Sequence, residues 1–356
     1  MIIHENIPIS KITTMRLGGP ARYLIDIEST EDIEKAVEFA EEKNLPIRII
    51  GGGANTIGHD EGFNGVLIRN AIVGIEELAQ RTSFEDHELD QTTSSVSKED
   101  NSKPTLIKAM GGTEWDAVVE YSVNKNLTGI EGLSKIPGLA GAAPVQNIGA
   151  YGQDVSQTFV EADVYDLKTK SFKTLSKDNF HFDYRKSILN TTEKNRYFVI
   201  SITLELHEGQ MPRPFYNSIE RYIEEHGSSD FSPAGIREIV STIRADKLPD
   251  PKEIASAGSF FKNVYLTDKE ASKAEEKGIP VYRGHDGLKI NSGWLIEQCG
   301  LKGKVLHGIR INDKAALVLI NESAKDYNDL AKARTEITNK VYKTFGYKLE
   351  QEPIEL

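Results

Sequence analysis

GIEGLSKIPGLAGAAPVQNIGAYG, running from Gly129 to Gly152, decides how this chain is read. It is dense in Gly and Ala, holds two prolines and carries almost no charge. Gly and Pro break helices and long strands. The stretch is nevertheless too apolar for a disordered linker. What remains is a buried, tightly turning backbone against which something large lies. Small side chains let backbone N–H groups approach that object directly, as a pyrophosphate requires.

Working outward, TEDIEKAVEFAEEKN (30–44) predicts an amphipathic helix capped by Ser29 or Thr30, with acids in its first turn. LPIRIIGGGAN and GVLIRN follow as strand, glycine turn and strand. The triple glycine Gly51, Gly52 and Gly53 with Asn55 is neither a Rossmann nor a Walker fingerprint. Alone it reads as an ordinary strand-end turn. Paired with the second glycine-rich segment it reads as a phosphate cradle, because two such loops can hold one long dinucleotide.

IVGIEELAQ and TLIKAMGG read as strands, and the polar stretch 81–104 between them as a solvent-exposed, mobile hairpin insertion. Residues 114–125 read as a helix. EADVYDLKTKSFKTL and RYFVISITLEL follow as strands, with YRKSI between them. After Leu206, FYNSIERYIEEHG and SPAGIREIVSTIRADKLPD read as helical. GSFFKNVYL, LKINSGWLIEQCG and KAALVLIN read as a last α/β unit, followed by a long helix over 324–345. No internal repeat is present.

A chain of 356 residues is long enough for two or three domains. With 43 basic and 54 acidic residues its net charge is −11, which argues against non-specific nucleic-acid binding. The single cysteine, Cys299, rules out an internal disulfide and suits a reducing cytosol. No signal-peptide h-region opens the chain, and no run of about 18 apolar residues predicts a membrane span. The scattered histidines predict no metal site.

Several side chains are candidates for chemistry, each beside a plainer reading. Arg185 in YRKS can clamp a carboxylate bidentately or be an exposed loop arginine. Ser259 in GSFFKN can be a buried turn residue or a hydroxyl held in a dry pocket to give up a proton. G-x-S-x-G is absent, so a hydrolase nucleophile is disfavoured. Lys247 precedes a rigid Pro-Asp-Pro turn and can be a helix-end charge. The acidic tail is interleaved with apolar residues and can return to the protein as a strand.

These strings, in this order, resemble the UDP-N-acetylenolpyruvylglucosamine reductase family across most of the chain. TTMRLGGPARYL, GGGAN, GLSKIPGLAGAAPVQNIGAYG, YRKS, KLPDP, AGSFFKN, GWLIEQCGLKG and ALVLIN each resemble a family motif. The segment around Tyr216 resembles that of the longer subtype. The resemblance implies an α+β flavin fold of the vanillyl-alcohol-oxidase type plus a C-terminal α/β substrate domain. It divides the chain into 1–70, 71–208 and 209–356. It implies Arg185, Ser259 and Glu352 as catalytic, and Tyr151, Tyr184, Tyr216, Lys247 and Asn263 as substrate-binding. Gly51, Gly52, Gly53, Asn55, Ile136, Pro137, Gly138, Gly141, Ala142, Ala143, Pro144, Gln146, Asn147 and Gly149 are implied as FAD-binding. With no His or Cys in the glycine-rich stretch, a covalent flavin link is not expected.

The activity implied is NADPH-dependent reduction of UDP-N-acetylglucosamine enolpyruvate, in peptidoglycan precursor synthesis, by a cytoplasmic monomer. NADPH would reduce FAD and leave, and the enolpyruvyl ether would take its place. Arg185 and Glu352 would stabilise the developing charge, and Ser259 would protonate the α-carbon. The chain departs from the pattern at Val264, where the family continues FFKNP, at Asn312 and Ala315, and at Gln351 in place of the LEPE proline. Another flavoenzyme of the same fold, or an inactive nucleotide-sugar binder, are the rival readings.

Overall fold

The computed structural model describes residues 1–79, 104–284 and 287–356. The insertion expected over 81–104 therefore lies, but for Pro104, outside the described residues.

The first sheet has the order Ile2–Pro8, Pro20–Ile27, Phe63–Asn70, Ile47–Ile50. Its first pair is antiparallel and the other two pairs are parallel. The expected helix forms over Thr30–Glu42 and carries the chain across the sheet. Its Ile33, Ala36, Val37 and Ala40 recur at helical spacing and pack on Ile25, Ile27, Val66 and Ile68. The edge strand Ile2–Pro8 is almost wholly exposed. At the end of Ile47–Ile50 the chain turns through Gly51–Gly53. Gly53 has φ +69°, and a Cβ there would lie 1.9 Å from the Ile12 carbonyl oxygen. Only glycine fits that crossing.

The second sheet runs Ser171–Ser176, Phe159–Asp166, Tyr197–Glu208, Thr105–Met110, Ile75–Leu78, antiparallel throughout. Phe198 and Ile200 of this sheet join the core of the first one. On its other side, Ile202 and Leu204 pack with Trp115, Val118 and Val119 of the helix Trp115–Asn124. The stretch 129–152 forms no long element, as its composition predicts. It is two single 3₁₀ turns, Glu131–Leu133 and Ala140–Ala142, then the short ladder Gly149–Ala150 with Gln153–Asp154. It lies close against the sheet: a Cβ on Gly141 would sit 3.0 Å from the Gly111 Cα.

The C-terminal part begins with the expected helices, Asn217–His226 and Pro233–Lys247. It then builds a four-stranded sheet from Ser256–Ser259, Val318–Asn321, Ile309–Ile311 and Val305–Leu306. A three-stranded sheet of Val264–Leu266, Gly287–Ile290 and Tyr282–Gly284 stands beside it. The long helix is Tyr327–Phe345. The helix Asp268–Glu276 escaped the sequence reading because it is nearly all polar; its capping box, Thr267 with Glu270, was the available signal. The tail does return as a strand. Ile354–Glu355 runs parallel to Thr56–Ile57, and Gln351 bridges to Phe261.

One ion pair ties the C-terminal helices to the middle of the chain. Arg237 grips both carboxylate oxygens of Asp116 at 2.7 and 3.0 Å, and Lys135 adds a third contact at 2.8 Å. Burial alone would raise the Asp116 pKa, but the hydrogen bonds from Arg237 and Lys135 hold it far below the usual carboxylate range. Its stabilising effect is therefore complete above about pH 4 and fades as the pH falls below that. Replacing Asp116 by Asn is expected to cost about 2 kcal/mol at pH 7. Denaturant unfolding at pH 7 and pH 3 should show the difference from the native protein narrowing in acid.

Candidate active site

The three parts enclose a cavity of about 780 Å³. Gly51, Gly52, Gly53 and Asn55 line one side, and Ile136 to Leu139 with Gly141, Ala142 and Ala143 another. Arg185, Ser259, Lys262 and Glu352 line it as well. Both glycine-rich loops thus face one space.

The lining fits a dinucleotide. Among the described residues, the amides of Gly52, Gly53, Ala54 and Gly138 donate to no protein acceptor. Gly138 has φ +125°, and a Cβ there would meet nothing closer than the Ala54 Cβ at 4.0 Å. Bare amides in a small-residue trough are a cradle for phosphate oxygens. Of the fourteen expected FAD residues, Pro144 and Asn147 do not line the cavity. Asn147 is structural: its Oδ1 accepts from the Ser156 amide at 2.9 Å, and its Nδ2 reaches the Asp183 carbonyl at 3.3 Å. Asn55 and Gln146 line the cavity and are hydrogen-bonded to each other. Gln146 Nε2 also donates to the Glu352 carbonyl at 2.8 Å, so both loops hold the tail.

Arg185 and Glu352 meet across 167 residues of sequence, Nε to Oε1 at 3.1 Å. Arg185 Nη2 donates to the Gly149 carbonyl at 2.7 Å. Its Nη1 has no acceptor among the described residues, so one face of the fork is left for a ligand. Burial would lower the Arg185 pKa, but Glu352 and then Tyr184 hold it above the ordinary arginine range. Burial raises the Glu352 carboxyl against the pull of the Arg185 charge. The Glu352 backbone is pinned too, its amide donating to the Phe260 carbonyl at 2.9 Å. Ser259 ends the strand Ser256–Ser259, immediately after Gly258 with φ +73°.

None of the five expected substrate residues is in the cavity lining. Tyr151 and Tyr216 meet edge to face at 6.0 Å, and Tyr216 is 46% exposed. Tyr184 lies beneath the Arg185 guanidinium, 5.0 Å from it. Asn263 Oδ1 accepts from the Ser292 amide at 3.2 Å. The Lys247 carbonyl accepts from Asn312 Nδ2 at 3.2 Å, so the departure at Asn312 braces the Lys247 turn.

Sequence reasoning missed Arg244 and Lys262, both in the cavity wall. Arg244 lies beside Tyr151, and burial lowers its pKa. Its Nε is buried and has no partner among the described residues. A buried guanidinium with an unused donor asks for an anion. It sits three residues before Lys247 on the helix Pro233–Lys247, where no local signal marks it.

A mixed α/β scaffold with two glycine-rich loops around a dinucleotide-sized cavity fits an FAD-binding protein. Residues 21–170 match the FAD binding domain model, and residues 250–355 match the model for UDP-N-acetylenolpyruvoylglucosamine reductase, C-terminal domain. The reductase of that name from Ralstonia nicotianae is 31% identical, with 99% of each chain covered. That from Thermobifida fusca is 33% identical, covering 98% of this chain and 97% of the relative. The fold matches the crystal structure of the reductase from Thermus caldophilus with a TM-score of 0.64 at 22% identity, over 99% of both chains. A vanillyl-alcohol-oxidase-type flavoprotein from Myceliophthora thermophila matches at 0.50, with 9% identity, over 95% of this chain and 73% of that one. The chain belongs to the UDP-N-acetylenolpyruvoylglucosamine reductase family.

If the Gly138 backbone is a phosphate cradle, a methyl group there occupies ligand space. Gly138→Ala should weaken FAD binding by about tenfold or more. The flavin-to-protein absorbance ratio after dilution and gel filtration measures it.

Proposed function

We infer that this chain is an FAD-dependent oxidoreductase that reduces UDP-N-acetylglucosamine enolpyruvate to UDP-N-acetylmuramate with NADPH, a step of peptidoglycan precursor synthesis. Its membership of the reductase family supports the reaction. The observation that carries the site assignment is the placing of Arg185, Glu352 and Ser259 around one cavity with both glycine-rich loops.

Bound FAD supplies a two-electron carrier that takes hydride from NADPH and returns it to the substrate. The residues of the chain do the rest. Hydride addition at the terminal methylene of the enolpyruvyl group leaves negative charge on the α-carbon and its carboxylate. The Arg185 guanidinium, held by Glu352 and Gly149 with Nη1 left over, would meet that charge with little reorganisation. Glu352 holds the Nε edge of the fork and so fixes the direction of Nη1. Ser259 Oγ delivers the proton that completes the lactyl ether. A hydroxyl is a weak acid, and it suffices here because the acceptor is a strongly basic carbon in a confined site. Lys262 and Arg244 add positive charge to the same wall, for a substrate with a carboxylate and a pyrophosphate. The amides of the two glycine-rich loops hold the FAD pyrophosphate.

The same reading divides the chain into two FAD-binding subdomains, 1–70 and 71–208, and a substrate domain, 209–356. The tail is the exception, because it crosses back to the first of these. It also takes the protein as a cytoplasmic monomer, since one chain supplies every proposed catalytic group. Among the described residues no helix is long and apolar enough to cross a membrane.

The test is anaerobic NADPH oxidation by FAD-loaded protein with and without the enolpyruvyl substrate. Many turnovers that need the substrate support the reading; flavin that is reduced and never reoxidised by it sinks the reading. Ser259→Ala should leave flavin reduction by NADPH within about twofold. It should slow reoxidation by substrate by about a hundredfold or more. Equal loss in both half-reactions, followed by stopped-flow absorbance, would remove Ser259 from the proton-donor role.

A further inference from the structure

We propose that Tyr265 is a positioning residue for Arg185, acting through the ring of Tyr184. The proposal rests on the reading above of Arg185 as the cation at the reacting carboxylate.

The backbone around Arg185 is a tight turn. Asp183 and Lys186 exchange two hydrogen bonds, at 3.1 and 3.0 Å, and Arg185 has φ +54°. Asn190 Nδ2 holds the Arg185 carbonyl at 3.0 Å. These bonds fix the main chain, and the Tyr184 ring is supported from another element. The support is Tyr265, whose ring centroid lies 4.5 Å from that of Tyr184 at an interplanar angle of 51°. The Arg185 guanidinium then lies over Tyr184 at 5.0 Å, and Lys289 Nζ lies over Tyr265 at 5.8 Å. The order cation, ring, ring, cation runs from the three-stranded sheet to the cavity.

Tyr265 is suited to this because its backbone is held. It is the middle residue of Val264–Leu266 and pairs with Lys289 on Gly287–Ile290. Val264 pairs with Ile290 in the same ladder, at the position where the family pattern has proline. A proline there has no N–H to donate to a ladder. The chain's own departure at Val264 thus begins the strand that carries the ring. Stacked rings and a cation over a ring each add attraction beyond area burial. An arginine with several free torsions is directed more narrowly when its flat face is supported as well as its Nε edge.

The test compares Tyr265→Leu, Tyr265→Phe and the native holoenzyme. Tyr265→Leu should slow substrate-driven flavin reoxidation about tenfold and leave reduction by NADPH within about twofold. Titration of the oxidised holoenzyme should show weaker binding of the enolpyruvyl substrate, with binding of UDP-N-acetylglucosamine, which lacks the carboxylate, unchanged. Tyr265→Phe keeps the ring and should rescue both. In a Tyr184→Leu background, Tyr265→Leu should add nothing further. If Tyr265→Leu does not fold, Tyr265→Ile, which suits a strand, takes its place. Equal slowing of both half-reactions, no slowing, no rescue by Phe, or full additivity with Tyr184→Leu would each overturn the proposal. A native enzyme reduced by NADPH but never reoxidised by the substrate would overturn the functional reading itself, and the proposal with it.

Discussion

The last residues of the chain hold the site together. Glu352 is placed by three separate groups: the Phe260 carbonyl on its amide, Gln146 on its carbonyl, and Arg185 on its carboxylate. These partners come from the turn after the strand Ser256–Ser259, the long glycine-rich segment and the YRKS turn. One residue of the tail therefore registers three elements far apart in sequence. The strand Ile354–Glu355 extends the registration to Thr56–Ile57, just beyond the first glycine turn. A carboxylate is costly to bury unless it is paired, and here the pairing partner is the proposed catalytic cation, Arg185.

The departure at Gln351 belongs to the same arrangement. Where the family pattern has proline, Gln351 accepts from Arg334 Nη1 at 2.6 Å and donates to the Pro353 carbonyl at 2.8 Å. Arg334 also binds Glu355, which accepts from the Tyr327 hydroxyl at 2.9 Å and pairs with His59 at 3.1 Å. Burial opposes ionisation of Glu355, but Arg334, Tyr327 and His59 keep its pKa below the ordinary glutamate value. A proline stiffens a tail by fixing one torsion. This chain stiffens it with side-chain bonds to the helix Tyr327–Phe345 instead.

Much of the fold was legible because its signals are local. The helix Thr30–Glu42, the strand Tyr197–Glu208 and the turning backbone of 129–152 each follow from spacing or composition over a few residues. The motif strings pointed in the same way to residues that line the cavity, since Gly51–Gly53, Arg185 and Ser259 each sit in a distinctive local setting. What could not be read is what depends on distant partners. Nothing in YRKS says that Glu352 will meet it, and nothing in an ordinary amphipathic helix separates Arg244 from an exposed cation. Burial of the guanidinium beside Tyr151 exists only once the helix Pro233–Lys247 has docked. Asn147 errs the other way: its motif suggested a ligand contact, but the turn uses both ends of its amide.

The division of labour inside the cavity follows from which groups already have partners. Glu352 and Gly149 take the Nε and Nη2 edges of Arg185, so the guanidinium keeps a fixed plane and offers a single remaining corner. Gly149 must stay without a side chain for this, because a Cβ there would lie 3.0 Å from Nη1. The glycine that closes the flavin-side segment thereby also clears the substrate-side donor. The proposed cofactor-facing backbone and the proposed charge-stabilising cation line one cavity, so substitutions in the loop should be read in both halves of the proposed catalytic cycle.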